Sequence, residues 1–325
     1  ARIHHFVLGP NPRTGGRGLF ASALIPGGYN CPMNLTRRAV LAAAGAAIAS
    51  GRPQITSRSG LRMEQHGDPT RPAIAVFLPS QSAPAAVIEM PEHAWRRVRE
   101  NDSQAWFYKM YGPDSKEIKV TWASTPDTLS FRMEAAAGFT LNGGARLTGD
   151  RIAIQYEILS ASEPRLAAVQ AVTCVRLYRP FTDVFLERTF VHDELGLQPI
   201  AVATPERLAE NAEEWLPCRY ISNVGGRATP YRVEKLDGVT RYFRPRPADA
   251  PFIATASDPA GWTACTFSPT ANSVFTNPAR TCHHADPISL SVQDGRASHG
   301  VTMLILRGSV ADAWKRVSSE LRDKD

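Results

Sequence analysis

Residues 151–160 read RIAIQYEILS. Ile152, Ile154, Tyr156 and Ile158 fall on one side of a two-residue repeat, and Ala153, Gln155, Glu157 and Leu159 on the other. Successive side chains of an extended chain point to opposite faces, so this alternation predicts a half-buried strand and not a helix. The same texture recurs on both sides of it. EIKVTW (117–122), TLSFRME (128–134), AAVQAVTCVRLY (167–178), DVFLERTFV (183–191), WTACTF (262–267) and GVTMLILR (300–307) are β-branched and bounded by Gly, Pro or Asp. LNGGA (141–145) carries the Asn-Gly pair of a tight turn between strands.

Helical signals are fewer. PEHAWRRVREND (91–102) and SQAWFYKMYG (103–112) read as short helices, and Thr204-Pro205 opens another over PERLAENAEEW (205–215). Near the end Ser309 and Asp312 stand three apart as a cap. Val310, Ala313, Trp314, Val317 and Leu321 then form one apolar stripe, predicting an amphipathic C-terminal helix laid on a sheet. Strands without regular intervening helices predict antiparallel sheets. The expected fold is mainly β, an antiparallel β-sandwich with a few covering helices. It is expected over residues 91–325, as one body or two packed sub-sandwiches. Residues 50–90, with RPQITSRSG, GDPTRP and LPSQSAP, read as a Pro/Ser-rich leader with one strand at Ala73–Leu78.

The string MNLTRRAVLAAAGAAIASG begins at Met33. Arg37 and Arg38 precede an apolar run, Ala39–Ala49, which ends in the small-x-small pattern Ala47-Ile48-Ala49 before Ser50. That run is short of the ~20 apolar residues that span a bilayer but suits a signal-peptide core. Thr36-Arg37-Arg38-Ala39-Val40-Leu41 resembles the twin-arginine motif of bacterial export signals, with Val40 where Phe is usual. The resemblance covers residues 33–49 and implies a route: passage through the twin-arginine translocase to the periplasm or outside. Residues 1–32, rich in Gly and Pro, are then expected to be upstream sequence or a disordered extension.

The formal charge of +6 belongs to this leading part. Residues 1–49 hold Arg2, Arg13, Arg17, Arg37 and Arg38 and no acidic residue, leaving 32 basic against 31 acidic residues beyond. No polybasic run with interleaved aromatics remains there, which excludes a nucleic-acid surface. No apolar run of membrane-spanning length follows Ala49, so no membrane span is expected. Cys174, Cys218, Cys265 and Cys282 permit two disulfides in any of three connectivities, or four buried thiols.

Beyond Ala49 the chain lacks G-x-S-x-G, H-E-x-x-H, P-loop and G-x-G-x-x-G strings, which lowers α/β-hydrolase, zincin and nucleotide chemistry together. The most unusual polar stretch is TNPARTCHHADP (276–287). If it is extended, Cys282, His284 and Asp286 point one way and His283 the other. Imidazole and carboxylate on one face make His284 and Asp286 candidates for acid/base work. With His192, they are also candidate ligands of a divalent metal. Glu157 and Glu187 are weaker candidates for a glycosidase carboxylate pair. Trp106, Tyr108 and Trp262 are candidate sugar platforms, although such aromatics are more often core.

The WTAC and NPARTCHHADP segments with the preceding strands are similar to uncharacterised secreted bacterial β-sandwich proteins, which implies an envelope location and no particular reaction. The expected function is that of an exported enzyme acting on polysaccharide or a related polymer by hydrolysis or elimination. The alternatives are a non-catalytic module binding glycan or another envelope component, and a structural or protein-interaction sandwich.

Overall fold

The computed structural model describes residues 53–67, 70–100, 104–111, 118–135, 139–160, 166–201, 218–236, 238–286, 290–291 and 295–322. Residues 1–49, and the helix expected over 205–215, lie outside them. The described chain is mainly β, as the two-residue periodicity predicted.

One sheet runs in the order β1 (Gln54–Thr56), β2 (Arg62–His66), β3 (Ala73–Phe77), β4 (Ala86–Glu100), β10 (Leu166–Leu177) and β19 (Cys282–His283). β5 (Gln104–Tyr111) also pairs with β4, and β20 (Leu290–Ser291) with β10. A second sheet runs β12 (Gly196–Pro199), β11 (Thr189–Asp193), β16 (Phe252–Ala256), β17 (Trp262–Phe267), β21 (Arg296–Arg307), β9 (Arg151–Ser160), β8 (Phe139–Thr148), β7 (Thr128–Ala135) and β6 (Lys119–Ser124). A third, smaller sheet holds β14 (Arg232–Leu236), β15 (Val239–Phe243), β13 (Cys218–Asn223) and β18 (Ser273–Thr276). The named strand pairs are antiparallel except β13 beside β15.

The first two sheets share one core. Ile74, Val76, Ile88, Met90, Val175 and Leu177 meet Ile152, Ile154, Tyr156, Ile158, Met303 and Ile305 there. The alternation read in residues 151–160 is therefore the alternation of core and outer face. On the far side of the second sheet lies α1 (Val310–Arg322). Its Val310, Ala313 and Val317 are buried with Phe252, Cys265, Phe267 and Leu304, and Trp314 and Leu321 pack beside them. Ser309 donates from its backbone N and from Oγ to Asp312 Oδ2, at 2.8 and 2.7 Å, and Asp312 N donates back to Ser309 Oγ at 3.2 Å. This is the reciprocal cap that the spacing predicted.

Four expectations are corrected. Residues 53–90 are not a leader: they supply β1, β2, β3 and the start of β4, and Leu61 and Met63 are wholly buried. Pro53, Pro72, Pro79 and Pro84 stand between these strands, where a missing N–H costs no ladder bond. Residues 91–100 and 104–111 form no helices but β4 and β5, because the pairing of this part of β4 with β10 and β5 overrides a weak helical propensity. LNGGA lies inside β8, and the turn follows it at Gly149-Asp150. Gly143 faces Phe131 on β7, and a Cβ there would stand 2.4 Å from that ring. The glycine makes room for a cross-strand aromatic and does not turn the chain. Of DVFLERTFV only the end is strand, since Asp183 accepts the backbone N–H groups of Glu187 and Arg188 and so builds a turn.

Candidate functional site

Along β4, Ile88, Met90 and Ala94 enter the core. Glu89 belongs to the opposite face. A regular strand would send Glu92, three residues on, to the other side from Glu89. The ladder is irregular at that point: Glu89 pairs with Cys174 and His93 with Val172, so Met90, Pro91 and Glu92 face only Thr173. Such bulges re-aim side chains. Here the result is that carboxylate oxygens of Glu89 and Glu92 and the Sγ of Cys174 all lie within 4.8 Å of one another.

Both carboxylates are largely but not wholly covered, with 16 % of the Glu89 side chain and 18 % of the Glu92 side chain exposed. Cations flank them. Arg176 Nη2 is 3.6 Å from Glu89 Oε1, and His93 Nε2 is 3.8 Å from Glu92 Oε1. Arg176 and Cys174 are two apart on β10 and so share a face.

Beneath this rim are buried thiols. Cys174 and Cys282 sit on neighbouring strands, with Cys282 opposite Arg176. The Cys282 Sγ is 3.2 Å from His284 Nε2, and the donor atoms of Cys174, Cys282 and His284 lie within 4.8 Å of one another. The expectation that Cys282 and His284 share a face is met. The His284 ring lies flat on Phe275, with centroids 4.0 Å apart, and its Nδ1 is buried without a hydrogen-bond partner.

A hydrogen bond from Cys174 holds Cys282 well below the usual thiol range against the opposing effect of burial, and His284 adds to it. Cys174, as donor, is pushed well up, and burial adds to that. Burial lowers His284, but Cys282, Glu92 and Asp286 outweigh it and raise the imidazole above its ordinary value. By contrast, burial pushes Cys265 up to about 12 and Cys218 up to about 11. These two are core thiols. All four cysteines among the described residues are free.

The other sequence candidates go elsewhere. Asp286 accepts Thr173 N–H with both oxygens, at 3.0 and 3.1 Å, and its Oδ1 is 3.1 Å from His299 Nε2. It fills the gap between β19 and β20, where β10 has no strand neighbour on that side. The carboxylate thus satisfies backbone rather than substrate. His283 points the other way, to Thr255 Oγ1 at 2.7 Å and Thr266 Oγ1 at 3.3 Å. His192 binds Asp249 at 2.7 Å and stacks on Trp314, centroids 3.9 Å apart. The metal set expected from His192, His284 and Asp286 therefore has three separate sets of partners. The donors gathered around His284 are instead Cys174 and Cys282.

Glu157 is held by Asn142 and Arg296 at 3.3 and 3.2 Å, while Glu187 is exposed in the turn before β11. They do not form the expected pair. Trp262 packs on the core under Arg307 and is no open platform. The side chains of Trp106 and Tyr108, on β5, lie outside the described residues. Glu89 and Glu92 carried no signal as a pair, because only the bulge brings them together.

The fold and the site define a β-sandwich with an ionisable patch at a bulge on the face of one sheet turned away from the core. No family model and no curated protein matches the chain. Among solved structures it is similar to an alpha-N-acetylgalactosaminidase of Bifidobacterium bifidum in complex with GalNAc, at 15% identity and TM-score 0.46, covering 84% of this chain and 39% of that one. It is similar to a candidate aldose 1-epimerase of Escherichia coli K12, at 10% identity and TM-score 0.45, covering 79% and 99%. A GalM/aldose epimerase homologue of C. elegans gives 10% identity and TM-score 0.41, covering 80% and 99%. The chain thus spans well under half of the first of these proteins. No residue role is carried over from any of them. Among the described residues no helix is long and apolar enough to cross a membrane.

Proposed function

We propose that this protein is exported and acts on carbohydrate, cleaving glycosidic linkages with Glu89 and Glu92. The observation that carries the reading is the carboxylate pair itself: oxygens within 4.8 Å, half-buried and brought to one face by a bulge. Carboxyl groups about 5–5.5 Å apart suit the retaining mechanism, since there is no room for a water between them and the sugar. Glu89, paired with Arg176, attacks the anomeric carbon, and Glu92 passes a proton to the departing glycosidic oxygen. Water then cleaves the glycosyl ester and Glu92 takes back a proton. Export is supported by the twin-arginine string from Thr36 to Leu41.

The test is turnover by the purified protein on a panel of polysaccharides and aryl glycosides. Glu89→Gln and Glu92→Gln should each lower kcat by about 10²–10⁴-fold, while Glu157→Gln should leave it unchanged. Affinity for a glycan with no product from the parent protein would make it a binding module. Neither affinity nor product across the panel would leave the protein-interaction reading.

A further inference from the structure

Beside the carboxylate pair lie two buried thiols and an imidazole in mutual contact. Cys174 is 2 % exposed, Cys282 0 % and His284 2 %, and their three donor atoms lie within 4.8 Å of one another. Tetrahedral zinc, with Zn–S bonds of about 2.3 Å and Zn–N bonds of about 2.0–2.1 Å, requires donors spaced on this scale. Sulfur and nitrogen donors without a neutral oxygen among them select a thiophilic ion over magnesium or calcium.

A disulfide is the competing use of the two thiols, and the ladder disfavours it. Cys282 stands opposite Arg176, so Cys174 is its diagonal neighbour and not its direct partner. Diagonal positions in a ladder are about 7–8 Å apart, beyond the Cα separation of about 4.4–6.8 Å that a relaxed bridge needs. A metal ion spans such a gap because it adds its own radius between the sulfurs. His284 and Cys174 also sit on well-held pieces of backbone. His284 is bonded to Phe275 through both N and O, at 3.0 and 3.1 Å, and Cys174 lies in the middle of β10.

We infer that Cys174, Cys282 and His284 form a zinc site, with the fourth position on the side of Cys174 that faces Glu89 and Glu92. The inference goes beyond the carbohydrate reading and does not need it.

The experiment uses the full chain, prepared under reducing conditions without a metal-affinity tag. Elemental analysis should give stoichiometric zinc. Exchange for cobalt(II) should add thiolate-to-metal charge-transfer absorption, and added zinc should raise the Tm of stripped protein. Cys282→Ser and Cys174→Ser should each abolish the cobalt signal, whereas Cys265→Ser, equally buried, should keep it. Stripped protein that is folded by circular dichroism but shows neither zinc uptake nor a Tm shift would overturn the inference. So would a Cys174–Cys282 disulfide found by mass spectrometry in protein never exposed to added oxidant. Because metal content is read without turnover, either proposal can fail while the other stands.

Discussion

Asp193 and Arg244 have no exposed side-chain surface, and their atoms meet at 2.9 Å. Arg246 adds a longer contact at 3.3 Å, and Leu195 donates its backbone N–H to Asp193 at 2.9 Å. Burial works to raise the Asp193 carboxyl, but Leu195, Arg244 and Arg246 outweigh it and hold it below the usual carboxylate range. The folded state therefore binds the Asp193 proton less well than the unfolded state. The resulting stability is fully present above the unfolded value near pH 4 and is lost as the pH falls from there through the folded value. Removing the cation should be severe. Arg244→Ala is expected to cost about 3–5 kcal/mol, since it strands a buried carboxylate, and to shift the acid limb of the stability curve to higher pH. Urea melts from pH 3 to 7 read both effects. Adding Asp193→Leu to Arg244→Ala should recover part of the loss, and a double variant as weak as the sum of the singles would show that the two charges do not act together. Little of this was legible beforehand. Asp193 follows His192 directly in sequence, but the partner that holds it lies 51 residues away. What the sequence did show at this scale was local geometry. Cys282 and His284, two apart in an extended segment, do share a face, and His283 does oppose them.

Strands were legible where alternation was clean, as in β9 and β17, whose observed bounds coincide with the strings RIAIQYEILS and WTACTF. They were illegible where the sequence broke the alternation, as in WRRVRE of β4, or where a glycine pair imitated a turn. The same blindness hid the candidate site. A bulge obeys no period, so Glu89 and Glu92 appeared on opposite sides of any regular element. Gly143 shows what the turn-like pair is for. Its backbone lies under Phe131, which also meets Trp122 with centroids 5.3 Å apart. Gly143→Ala should push the ring off its seat and destabilise the β7–β8 pair by about 1–3 kcal/mol, the usual cost of overpacking. A turn at this point would tolerate the change far better, because Gly143 has no positive φ to defend. Thermal melts of Gly143→Ala, Phe131→Leu and the double variant decide it. The double variant should be more stable than the two separate losses imply, and strict additivity would remove the packing account.

At the scale of the molecule, the decisive question is where the folded body begins. Composition placed the start near Pro91, with residues 50–90 as a leader. The structure has Leu61, Met63, Ile74 and Val76 wholly buried in the main core. At about 1.5–3 kcal/mol for each buried side chain, these four supply roughly 6–12 kcal/mol, comparable to the whole net stability of about 5–15 kcal/mol expected of a domain. Starting at Pro91 also removes Ala86–Glu89, the residues of β4 that pair with β3, and with them the Glu89 carboxylate, and it bares an edge of β10. A chain starting at Pro91 should therefore be insoluble or lack cooperative unfolding. A chain starting at Ser50, the predicted product of cleavage after Ala49, should keep a sharp transition and the activity of the full chain. Edman sequencing of exported protein should read Ser50 onward, and replacing Arg37 and Arg38 with Lys should hold the protein inside the cell. A cooperative melt from the Pro91 chain would show that β1, β2, β3 and the first residues of β4 are dispensable to the fold after all.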